Sequence, residues 1–68
     1  FQTMKIQYFK STDTLYIEFS RGAIVETRDL DEDTVIDLDA SGRICAITME
    51  HAGERTGAPR FSFEEVAA

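Results

Sequence analysis

Sixty-eight residues with 13 acids against 7 bases, a formal net charge of -6 and 43% hydrophobic content describe one small acidic domain. That balance argues against a nucleic-acid surface, which needs clustered Lys and Arg to neutralise phosphates. The single Cys45 excludes an intrachain disulfide and a Cys-rich zinc site. No apolar run approaches the roughly 18 residues of a membrane span, so the chain reads as cytoplasmic, without membrane contact. A chain of this size buries only about 60% of its unfolded surface, which makes a homo-oligomer, most simply a dimer, the expected state.

Phe1, Gln2 and Thr3 precede Met4 and read as the scar of a cleavable expression tag, leaving residues 4–68 as a single small domain. From Met4 to about Met49 the apolar residues alternate with period two, the period of strands. Ile6 and Tyr8 share one face of a first strand. Ser11, Thr12 and Asp13 supply turn chemistry before a second, in which Leu15, Ile17 and Phe19 face one way and Tyr16 and Glu18 the other. Ser20, Arg21 and Gly22 make a further turn, with Gly22 free to take positive φ, and Ile24 to Arg28 resumes a strand.

Glu26 to Asp39 holds seven of the 13 acids and one base, Arg28. Within it Asp31, Glu32 and Asp33 are expected to form an exposed loop, because adjacent carboxylates repel and resist burial. A fourth strand spans Thr34 to Leu38. A fifth spans Arg43 to about Met49, with Cys45, Ile47 and Met49 on one side and Ile44, Ala46 and Thr48 on the other, a pattern that calls for cover on both faces.

After this β core of residues 4–52 the alternation stops. A short helical turn is expected near Ala52, and residues 53–60 read as a linker broken by Pro59. Residues 61–68, with Phe61, Phe63 and Val66, form a tail expected to dock on the sheet or on a neighbouring subunit. The predicted fold is therefore mainly β (α+β): an antiparallel meander of about five short strands with a short C-terminal helical element, in a dimer.

The run Met4-Lys5-Ile6-Gln7-Tyr8, then Asp13 with Leu15-Tyr16-Ile17, then Val35-Ile36-Asp37-Leu38-Asp39 with Gly42-Arg43-Ile44 and Ile47, resembles a small bacterial family called domain of unknown function 2283 (DUF2283). The resemblance covers about Met4 to Ala52. It implies a compact, mainly antiparallel β domain inside the cell, with no accepted catalytic residues to carry over. Some members look like partners of small toxin-type proteins encoded beside them, which implies an antitoxin-like or adaptor role. Phe9 and Lys10 depart from the family pattern, which usually has an Asp soon after the first-strand Tyr. Ala46 and Thr48 depart where a Gly and an acid often flank Ile47.

Several constellations invite chemistry. Asp37-Leu38-Asp39-Ala40-Ser41-Gly42-Arg43-Ile44 matches the first eight positions of a calcium loop, yet Thr48 stands where a bidentate Glu is needed, so a hairpin turn explains the same letters. Asp37 lies within a strand, and a cross-strand pair with Arg43 or Arg28 is its ordinary role. His51 is the only histidine. Asp37, Asp39, Glu50 and His51 are the candidate metal ligands, a mixed oxygen and nitrogen set, against the plainer reading of solvated surface groups. Cys45 alternates with Ile47 and Met49 and reads as a small buried hydrophobe. Arg55 and Arg60 beside Gly53 and Gly57 offer an anion grip or a flexible link, without the lysine and spacing of a phosphate-binding loop.

No nucleophile is paired with a base and no cofactor cradle is complete, so the leading expectation is a small acidic non-enzymatic interaction module. Its candidate partner-binding residues are Glu26, Asp29, Asp31, Glu32 and Asp33, in a band that Asp37 and Asp39 extend, suited to a basic protein partner. The rival is a metal-dependent or small-molecule-acting enzyme built on the Asp/Glu/His cluster.

Overall fold

A computed structural model describes residues 4–56 and 62–67. The expected tag scar, residues 57–60 of the linker, Phe61 and Ala68 lie outside the described residues. Five strands appear, β1 (Lys5–Phe9), β2 (Thr14–Glu18), β3 (Glu26–Asp31), β4 (Thr34–Leu38) and β5 (Ile44–Met49), followed by a helix, α1 (Ala52–Thr56). All four pairings are antiparallel, as expected.

The strand order is β1-β2-β5-β4-β3, so consecutive neighbours fall in two runs, the β1–β2 hairpin and the β3–β4–β5 meander, joined by β2 against β5. The connection over residues 19–25 therefore passes across one end of the sheet. The Phe19 and Ser20 amides donate to the Cys45 carbonyl at 2.7 and 3.2 Å, and the Val25 amide to the Leu38 carbonyl at 2.9 Å. These bonds satisfy backbone groups that a crossing segment would otherwise leave unpaired. Ile24 and Val25 belong to this connection, so the third strand starts and ends later than alternation suggested. Gly22 does not take positive φ; among the described glycines Gly42 does, at 84°, in the β4–β5 turn.

Directly opposed residues in an antiparallel sheet share a face. Ile6, Ile17, Ile47 and Ile36 are opposed in turn and form one isoleucine row across four strands. Its burial rises inward from Ile6, 52% exposed, to Ile36, 6% exposed. The same face carries Thr34 and Cys45, both buried, and the remaining buried apolar residues are Leu38, Ala46 and Ala52. Cys45, 1% exposed, is the small core residue its alternation predicts, with a free thiol. Phe63 and Val66 are 78% and 67% exposed, so the tail does not bury them on the sheet of its own protomer.

Helix α1 is only five residues long, too short to stand alone in water, and tertiary bonds fix it. At its start the Ala52 amide donates to the Asp13 carbonyl (3.0 Å) and the Gly53 amide to Asp13 Oδ1 (2.8 Å). Near its end Arg55 donates to Thr34 Oγ1 at 3.0 Å and to Asp31 Oδ2 at 3.3 Å. Asp13, at φ 53°, thus ties the first hairpin to the helix.

Candidate interaction surface

Chain order places the acidic residues on one hairpin and its surroundings. Glu26, Asp29 and Asp31 stand on β3, an edge strand whose six residues are all exposed. Glu32 and Asp33 form the β3–β4 turn, so the expected acidic loop contracts to two residues and Asp31 ends a strand. The turn is held by the Asp33 amide, which donates to Asp31 Oδ1 at 2.9 Å. That bond, helped by Thr34 and by the charge of Arg55 and opposed by desolvation, holds the Asp31 carboxyl below the usual carboxylate range. Asp33 itself is only half-exposed.

Local cations answer part of this charge. Arg28 donates through Nε and Nη2 to Glu26 Oε2 at 3.0 and 2.9 Å, and Arg55 meets Asp31. Asp37 corrects the expected ion pair: Arg28 is held by Glu26, and Asp37 accepts a hydrogen bond from its directly opposed neighbour Thr27 at 2.9 Å. Asp39 closes the β4–β5 turn, where its Oδ1 accepts the Ser41 amide and hydroxyl and the Arg43 amide. These bonds hold Asp39 below the ordinary carboxylate range, with the Ser41 hydroxyl contributing most. The calcium-like letters therefore build a hairpin turn between strands. Among the described residues, no hydrogen bond or ion pair engages the Asp29 or Glu32 side chain, so these two are the outward charges of the band.

The four candidate metal ligands are not brought together. Asp33 and Asp39 lie at opposite ends of β4, about 20 Å apart at the usual rise of a strand, and Glu50 and His51 lie at the Asp33 end. His51 Nδ1 is 3.0 Å from Asp33 Oδ1, and the Glu50 amide donates to the Asp33 carbonyl at 2.7 Å. Asp33, Glu50 and His51 can each offer a ligand atom within 4.8 Å of the others, an oxygen-rich set with one imidazole. Sequence spacing missed Asp33 here because strand pairing, which carries no local signal, brings it beside a residue 18 positions away.

Asp33 also sets the protonation of His51. Its hydrogen bond and then its charge raise the imidazole above its ordinary value, desolvation opposes, and Glu54 and Glu50 add to the rise. A His whose folded pKa is raised adds stability that is complete below its unfolded value, near 6.5, and lost as pH rises through the folded value. An NMR titration of the His51 ring is expected to show a midpoint above about 6.5, and Asp33→Asn to bring it back towards that value. An unchanged midpoint in D33N would remove the pair.

Comparison with known proteins gives one finding. A family model described as "Protein of unknown function (DUF2283)" matches residues 5–52, and the chain belongs to that family. No curated protein and no solved structure matches it. Among the described residues no helix is long and apolar enough to cross a membrane.

Proposed function

We propose that this DUF2283 member is a non-enzymatic interaction module of the bacterial cytoplasm, in an adaptor or antitoxin-like role, whose acidic β3–β4 hairpin receives a basic protein partner. What carries the reading is the full exposure of β3, with Glu26, Asp29 and Asp31 on it and Glu32 beyond it. A single-sign patch of this kind steers an oppositely charged protein and fixes its orientation more than it adds raw affinity.

The test uses the product of the gene adjacent to this one as probe, captured on the immobilised protein in low and in high salt. D29K with E32K leaves the hydrogen bonds of the turn intact. The expected result is binding weakened about tenfold or more by the double reversal, and weakened by salt in the parent protein. Binding indifferent to both would defeat the charge-steered reading. The rival enzyme keeps one geometric support, the Asp33–Glu50–His51 grouping. Metal analysis of protein purified without chelator or His tag separates the two: stoichiometric metal lost in D33N favours the enzyme, and substoichiometric metal removes it.

A further inference from the structure

A five-stranded open sheet has two edges, and these two are unlike. Among the described residues no strand pairs with the outer side of β1 or of β3. An open edge offers unpaired N–H and C=O groups to any extended chain, and proteins blunt such edges with charges and bulges. β3 has both devices. It carries three acids, and its register against β4 shifts between Asp29 and Asp31, leaving Leu30 as an extra residue that distorts the outer ladder.

β1 has neither. Its five residues pair with β2 without a register shift, and its one charge, Lys5, is answered by Glu18 at 3.8 Å. Large apolar side chains stand exposed along it: Met4, Ile6 and Phe9. Net charge is otherwise strongly negative, so an edge left without acids stands out against its own surface.

We propose that β1 is a self-docking edge, at which two copies of this chain join antiparallel about a two-fold axis at Gln7 and form one continuous ten-stranded sheet. The occupant follows from self-complementarity. In that register Gln7 meets its own copy, Ile6 lies opposite Tyr8, Lys5 opposite Phe9 and Met4 opposite Lys10, so no like charges are opposed, and Ile6 meets Tyr8 on the face of the isoleucine row. The apolar face that carries the isoleucine row then runs on into the second copy through its Tyr8 and Leu15, covering Ile6, the most exposed member of the row. The acidic, bulged β3 edges lie at the far ends of the doubled sheet and resist further addition, so the assembly closes at two. Sheet extension leaves the β3–β4 hairpin free, and the dimer stands or falls independently of the proposed partner.

Light scattering coupled to size exclusion tests the assembly. The parent protein is expected to show twice the chain mass, and Ile6→Lys with Phe9→Lys to halve it while the β circular-dichroism signal persists, since the lysine introduced at position 9 would face Lys5 of the other copy. Where the lysine variant unfolds, Gln7→Cys decides: a short bis-maleimide is expected to join Q7C copies at position 7 far faster than D29C copies on the opposite edge. A monomeric parent, a folded I6K/F9K dimer, or cross-linking no faster at position 7 than at position 29 overturns the proposal.

Discussion

Ile36→Ala is expected to unfold a large fraction of the protein at 25 °C, whereas Ile6→Ala, the same deletion at the other end of the same row, is expected to be mild. Ile36 is 6% exposed and packs between β3 and β5, opposite Ile47. Truncating a buried Ile to Ala costs about 2–5 kcal/mol in lost transfer energy and unfilled cavity. Domains are stable by about 0.05–0.15 kcal/mol per residue, which for this length means about 3–10 kcal/mol. The loss is thus of the same order as the whole. The core has few residues with which to collapse around the gap, since Cys45, Ala46 and Ala52 are small. Ile6, 52% exposed, loses about 1 kcal/mol or less if the protein is monomeric under the conditions used. Urea titrations followed by circular dichroism read both midpoints; equal shifts for I36A and I6A would mean that the core does not lie where burial places it.

The contrast within one row shows what sequence could and could not reveal. Alternation at Leu15 and Ile17, at Ile36 and Leu38, and at Cys45 and Ile47 identifies strands with one apolar face, because those strands lie against something. β3 defeated the same reasoning. As an edge strand exposed along its whole length it needs no apolar face, so alternation stops the strand at Arg28 and places Asp31 in a loop, while Ile24 and Val25 read as strand and belong to a crossing connection. Strand order was also hidden, since nothing local in Leu15 or Met49 announces that they are opposed. The candidate site shows the same division. The exposed acids were readable from composition, but the side chains that meet Asp33, Asp37 and Asp31 come from 18, 10 and 24 positions away.

Asp13 is the residue whose importance composition concealed most, and a mutant cycle with Gly53 is expected to expose it through a reversal of sign. Its Oδ1 accepts the Tyr8 hydroxyl at 2.5 Å and the Gly53 amide at 2.8 Å, while its carbonyl holds Ala52. Gly→Ala within a helix ordinarily stabilises by roughly 1 kcal/mol. Here a Cβ on Gly53 would lie 2.8 Å from Asp13 Oδ1, closer than a methyl tolerates. The carboxylate must turn away and surrender its two bonds, so G53A is expected to lower Tm by several degrees. D13A also lowers Tm, and in that background the added methyl meets no carboxylate, so G53A is expected to raise it. A cycle in which G53A has one sign in both backgrounds would mean that the Asp13 contact does not constrain the helix. Acid titration supplies an independent reading. The Tyr8 hydrogen bond, followed by the Gly53 amide, holds the Asp13 carboxyl below its usual range. A group depressed on folding contributes stability that is present above its unfolded value, near 3.9, and lost as pH falls through the folded value. D13N is therefore expected to be less stable than the parent near neutrality, with the gap narrowing as pH drops below about 3.9 and the parent loses the same charge.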